Sequence, residues 1–318
     1  MSRALVPVLI CFAAASCDYE YYPADLPDKG RIYLHCVPEA GSPVEILAAV
    51  AYPIIVGDGY VSPSPVLMLK VNGESVALSA DGEHSPKFKG ESKYVSDCIV
   101  NEGDVVEVYA SADGLDAVSS RTVVPEAVPP FVTEVAKVQT DKNPPMQLGT
   151  SMDNALKFTL RMNPLEKDSW YGVQVVKRVG FYPEEGMTEP ESEETGYSDI
   201  LVWENDDMLS AREEDVWVKY GDGIMQIFDV EAGAEGELEV YVPYTSSEGG
   251  IYDVDYNLLI YRMSEEFYRY ARSVYMQYLR YGILMAFTHP SHQYTNVVGG
   301  VGFVGAIDIY ESGYIDNI

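Results

Sequence analysis

From Arg31 onward, apolar residues fall on alternate positions in short runs, and Gly, Asn, Asp or Pro interrupt the runs. Ile32, Leu34 and Cys36 alternate with Tyr33, His35 and Val37. Successive strand side chains point to opposite faces, so this period fits half-buried strands and does not fit a helix. The run 66–71 meets Asn72-Gly73 and resumes as Glu74-Ser75-Val76-Ala77-Leu78. That is a hairpin signal, because a type I′ turn needs positive φ at both central residues. Runs at 105–110 and 119–124 add strands, with Asn101-Glu102-Gly103-Asp104 as a turn. About seven short strands over residues 31–125 predict an immunoglobulin-like β-sandwich. Pro125, Pro129 and Pro130 close it, since proline cannot donate to a ladder.

Residues 131–318 read as a second β-rich domain carrying one main helix, so the whole is mostly β. Leu156, Phe158, Leu160 and Met162 alternate with charged and polar neighbours, and further strands are predicted at 170–179, 200–204, 216–220, 224–230, 238–244 and 254–261. The Glu-rich stretch 183–199, with Pro190 inside it, reads as a solvated loop. The spacing predicts a helix over 264–281. Ser264 can cap it, Glu265 and Glu266 sit at its positive end, and Gly282 can end it. Phe267, Ala271, Val274, Tyr275, Tyr278 and Leu279 form one apolar stripe, and Glu265 is placed to pair with Arg269. Such a tyrosine-heavy stripe packs on a sheet or, alternatively, binds sugar.

Residues 1–16 stand apart from this pattern. Arg3 precedes a short apolar run, and Ala13-Ala14-Ala15-Ser16-Cys17 closes it. The run is too short for a permanent spanning helix and reads as an export signal. The small-small-Cys ending resembles the lipobox of bacterial lipoproteins, in which the Cys becomes the acylated first mature residue. Cys17 is therefore the expected lipid attachment site, an ordinary secretory signal being the alternative. Residues 17–30, with Pro23 and Pro27, read as an acidic tether. Asp18 and Glu20 resemble the surface-export signals of Bacteroidetes-type lipoproteins and favour an outward orientation.

Fifty acidic residues face 21 basic ones, a net charge of −29. Such a surface repels phosphate backbones and anionic headgroups, so nucleic-acid binding is excluded and membrane association is expected through covalent lipid. Of the four cysteines, Cys11 leaves with the signal and Cys17 is acylated. Cys36 and Cys98 remain, a candidate disulfide in an oxidising envelope, with two buried free thiols as the other reading.

The chemical motifs fail on context. Gly300-Val301-Gly302-Phe303-Val304-Gly305 matches the letters of a dinucleotide fingerprint. Only thirteen residues follow, alternating like a strand, where that motif needs a helix and a distant acid. It reads instead as a glycine-rich final strand where backbones approach closely or a bulge bends the sheet. His289 and His292 have Pro290 between them, so no helix places both imidazoles on one face, and they read as two hydrogen-bonded loop histidines with a loop metal site as the alternative. No residue is singled out as acid, base or nucleophile. A non-enzymatic protein without metal or cofactor is expected.

The segment 296–305, Asn-Val-Val-Gly-Gly-Val-Gly-Phe-Val-Gly, resembles the closing Asn-Ile-x-Gly-Gly-x-Gly-x-Phe-Gly signature of the domain of unknown function 4249 family of Bacteroidetes outer-membrane lipoproteins. Thr122-Val123-Val124-Pro125 and a Tyr-rich helix after Met263-Ser264 fall in the family's order. The chain departs at position 304, where Val stands in place of the usual Phe and Phe303 sits beside it. The resemblance implies an outer-membrane lipoprotein facing the surface or the periplasm, often encoded beside a TonB-dependent transporter. It carries over Gly299, Gly300, Gly302 and Gly305 as structural positions and no catalytic residue. The favoured function is a non-enzymatic accessory or ligand-capture partner of such a transporter. An adhesin or fimbria-type subunit and a surface glycan or peptide hydrolase stand as rivals.

Overall fold

The computed structural model describes residues 30–51, 63–86, 90–126, 131–139, 154–162, 164–182, 189–198, 201–203, 216–244, 252–281 and 293–315. The signal and Cys17, most of the tether, His289, His292 and Gly282 lie outside these residues. The described chain is mostly β, with several sheets and a single helix. Among the described residues no helix is long and apolar enough to cross a membrane.

The first unit holds β1 (Arg31–Cys36), β2 (Pro43–Ala51), β3 (Val66–Val71), β4 (Glu74–Val76), β5 (Leu78–Ala80), β6 (Ser92–Ile99), β7 (Val105–Ser111) and β8 (Val118–Val123). One sheet runs β4-β3-β7-β8, and the other contains β1-β2-β6-β5. Ile32, Leu34 and Ile46 of the second sheet share a buried cluster with Leu69, Val106 and Val108 of the first. The expected hairpin forms, with φ of 52° at Asn72 and 82° at Gly73. The run after it, however, splits. β4 pairs with β3, whereas β5 crosses to pair with β6 in the other sheet.

The candidate disulfide does not form: Cys36 and Cys98 are free thiols. β2 lies between β1 and β6 in the sheet order. At one strand spacing each, two intervening ladders keep the Cα atoms at least roughly 9–10 Å apart, beyond the reach of a disulfide. Burial pushes the Cys36 thiol up, which keeps it protonated and inert.

The second unit holds β9 (Phe131–Gln139), β10 (Asn154–Met162), β11 (Ser169–Phe181), β12 (Ser192–Ser198), β13 (Leu201–Trp203), β14 (Val216–Tyr220), β15 (Gly223–Val230), β16 (Gly236–Pro243) and β17 (Tyr252–Met263). Sheet β13-β16-β10-β9 contributes Leu156, Phe158 and Val240 to a core shared with Tyr171, Val173 and Leu258 of the β14-β15-β11-β17 sheet. The Glu-rich stretch expected as a loop contains β12, which pairs with residues 175–181 of β11. The edge of β11 needs main-chain partners there, and the exposed Glu193 and Glu194 stay in water while the β12 backbone supplies them. The helix α1 (Glu265–Tyr281) follows β17 directly, with Phe267, Tyr268 and Ala271 buried and Arg269 exposed and paired to Glu265.

Two last strands alter the expected division. β18 (Val301–Val304) runs parallel to β1 and joins the first unit's sheet, although residues 131–318 were expected to form the second domain alone. β19 (Ile307–Glu311) then pairs antiparallel with β17 in the second unit. Two residues separate these strands, so one short segment belongs to both units.

Candidate functional site

The segment 296–306 is where the two units meet. Asn296 acts as a substitute strand: its side-chain carbonyl accepts from the Val304 N–H at 3.0 Å, and its NH2 donates to the Val304 carbonyl at 2.7 Å. This pinches the intervening loop shut. Val298 and Ser119 exchange backbone hydrogen bonds at 2.8 and 3.3 Å, fastening the loop to the outer edge of β8. Gly299 and Gly300 make the turn between these contacts.

Gly302 has φ of 99°, and a Cβ there would be driven into the Leu34 carbonyl. Only glycine lets β18 lie this close to β1. Gly305 is tight for a different reason, since a Cβ would stand 2.8 Å from the Phe267 backbone nitrogen at the start of α1. The four glycines of the signature thus serve close backbone approach and turn geometry.

Alternation within β18 distributes its side chains between two cores. Phe303 enters the second unit's core, whereas Val304 enters that of the first. Tyr270 stacks on Phe303 with ring centroids 3.7 Å apart, and His35 meets it edge-on at 4.9 Å. Position 304 faces the first unit's core, which the smaller Val fills, while the neighbouring Phe303 provides the aromatic contact to the helix.

Ser264 completes the junction. Its hydroxyl oxygen accepts from the Phe267 N–H at 3.3 Å, the expected cap, and from the Ala306 N–H at 3.0 Å. Its own N–H donates to the Ala306 carbonyl at 2.9 Å. The capping role was readable from sequence. The grip on Ala306, the Asn296 clamp and the Tyr270 stack were not, because each depends on a partner brought in by the fold.

A cleft of about 350 Å³ opens along the same seam, lined among others by Pro125, Trp170, Arg262, Ser264 and Glu266. Its size is at the low end for small-molecule sites. Arg262 reaches across the seam to donate to the Glu126 carbonyl and, within the second unit, donates to the Ser169 hydroxyl at 3.4 Å. The Thr122 hydroxyl donates to the Glu266 carboxylate at 3.3 Å. These groups tie the units together.

Against Phe267 of α1 lies a tyrosine cluster, with Tyr220 edge-on to both Phe267 and Tyr261. The Tyr261 hydroxyl donates to the Gln174 side-chain carbonyl at 2.6 Å, and the Gln174 NH2 donates to the Tyr220 carbonyl at 3.0 Å. Burial, then the nearby Glu39 and Tyr197, pushes the Tyr220 hydroxyl up to about 12. Burial, then Asp308, also raises Glu39. A tyrosine hydroxyl raised in this way stays protonated and neutral at physiological pH. Among the described residues no group of three or more His, Cys, Asp or Glu is placed to hold a metal ion.

Fold and junction together define a mostly-β protein whose two units are closed by one glycine-rich C-terminal segment. The family described as Domain of unknown function (DUF4249) matches residues 19–312, and the chain belongs to that family. No curated protein matches the chain.

Proposed function

We propose that this protein is an outer-membrane lipoprotein, anchored through Cys17 and facing the cell surface, that serves a TonB-dependent transporter as a non-enzymatic accessory or ligand-capture partner. The observation that carries the reading is how the family's closing signature is used. Asn296, Gly302, Phe303 and Gly305 are committed to joining two β-units, so the signature residues build a scaffold. The small-residue run ending at Cys17 supplies the membrane, and the net charge of −29 suits a body held there by lipid. A tether also raises local concentration, so that even a micromolar contact with a neighbouring transporter is well occupied.

The test is purification of the tagged lipoprotein from outer membrane in mild detergent and low salt. A β-barrel transporter is expected in near-stoichiometric amount, and Cys17→Ala should release the protein from the membrane fraction. Repeated recovery of the lipoprotein alone would overturn the partnership and turn attention to the fibre subunit, which predicts ordered high-mass ladders on mildly denaturing gels.

A further inference from the structure

The face of the second unit's large sheet that carries Gly172, Tyr261 and the α1 contacts continues past the helix, and among the described residues Tyr197 and Tyr314 are exposed there. Cross-strand register places Val176 and Arg178 of β11 beside Asn257 and Asp255 of β17, with Tyr197 of β12 opposite Val176. Tyr314 belongs to the same face, because its neighbour Ile315 bridges to Tyr256 on the opposite one. Its ring lies under the Arg178 guanidinium, 4.1 Å from carbon to centroid.

Two features of this face point to a ligand. First, Tyr197 and Tyr314 are 41% and 38% exposed, yet both rings are held in place. Tyr197 lies flat enough on Gly223 that any Cβ there would strike its ring, and Tyr314 is held by Arg178. Fixed and exposed aromatic planes cost little ordering entropy on binding. Second, the floor between them is polar and rich in acceptors, since Glu193, Asp253 and Glu311 fall by register on the same face as the Arg178–Asp255 pair. Arg178 donates through Nε at 3.1 Å and Nη2 at 2.6 Å to the same oxygen of Asp255. That leaves Asp255 Oδ1 buried without a donor in a residue only 8% exposed. An acceptor in that condition costs free energy until a donor reaches it.

The chemistry narrows the occupant. Arg178 is neutralised by Asp255, so the floor offers no free cation, and the chain's net charge of −29 repels anions. Flat aromatic rings beside an acceptor-rich floor match a molecule with apolar C–H faces and a rim of hydroxyls that donate to it. β12 and the segment carrying Tyr314 are separated by β11 and β17, so the two tyrosines spring from backbones roughly 14 Å apart. The Tyr314 ring reaches back over Arg178 of β11, which keeps both rings within the span of a short run of linked pyranoses. We propose that this face binds a neutral oligosaccharide, with Tyr197 and Tyr314 as the stacking platforms and the Arg178–Asp255 pair between them reading hydroxyls.

This proposal rests on the ligand-capture reading above for its biological sense. Its test uses the purified protein with no partner, so a failure to bind sugar leaves the co-purification result standing. The detergent-solubilised mature protein is titrated by calorimetry with neutral tri- to hexasaccharides of gluco, manno, galacto and xylo configuration. At least one series should bind in the micromolar to millimolar range. Tyr197→Ala and Tyr314→Ala should each weaken it at least tenfold while the circular dichroism spectrum of the folded protein is kept, and Tyr197→Phe should retain binding. No binding across the panel, or binding that both alanine variants leave intact, overturns the proposal.

Discussion

One face of the β14-β15-β11-β17-β19 sheet is put to two uses. Around Gly172 and Tyr261 it is sealed by α1, and α1 is in turn held by the closing segment through Ser264, Gly305 and Phe303. Beyond Gln174 the same strands carry Arg178, Asp255 and two exposed tyrosines. Glycines, interlocking rings and backbone hydrogen bonds fill the sealed half, whereas charge pairs and fixed aromatic planes make up the other half. Rigidity is concentrated where the two units join, and the surface with the exposed tyrosines is presented on strands that this junction already holds in place.

The sharpest break in that comparison comes at Gly302. A side chain there combines a left-handed φ with collision against the Leu34 carbonyl, two independent costs. Gly302→Val should destabilise by about 4 kcal/mol, measured by denaturant unfolding, because strain at such backbone positions adds to the overpacking. Valine tolerated there at no cost in unfolding midpoint would mean that β18 is not held against β1.

A smaller effect is expected at the border between the halves, where Glu39 approaches Tyr220 and Tyr261. Burial and Asp308 raise its pKa above the ordinary value of 4.5. A carboxyl whose folded pKa is raised binds its proton more tightly when folded. Its stability contribution is present below the ordinary pKa and is lost as pH rises through the folded one. Glu39→Gln should therefore raise the melting temperature at pH 7, with the advantage fading below about pH 4. An advantage that grew on acidification would contradict the sign.

What was legible in the sequence was what short-range chemistry decides. Asn72-Gly73 makes its turn, Ser264 caps its helix, and the alternation of residues 31–36 marks β1, because each rests on residues a few positions apart. The misses share a cause. Nothing near Ala77 announces that β4 and β5 belong to opposite sheets, and nothing in the Glu-rich stretch shows that β11 has an edge to fill. The candidate bridge between Cys36 and Cys98 was read from compartment and count, whereas the intervening β2 is a property of sheet order. The closing glycines were legible as sites of close approach. Their partners, Leu34 and Phe267, lie far away in the chain and in different units, so the junction they form emerges only from the fold.

The central claim is that residues 296–311 make one cooperative body of two β-units, and scanning calorimetry of the mature protein tests it most directly. β18 adds to the first unit's sheet, β19 to the second's, and Ser264 and Gly305 tie the link between them to α1. The account predicts a single transition with calorimetric and van't Hoff enthalpies in agreement, moved to lower temperature as a whole by Gly302→Val. Two separated transitions in the unaltered protein, of which Gly302→Val shifts only the one belonging to the β1–β8 unit, would contradict it.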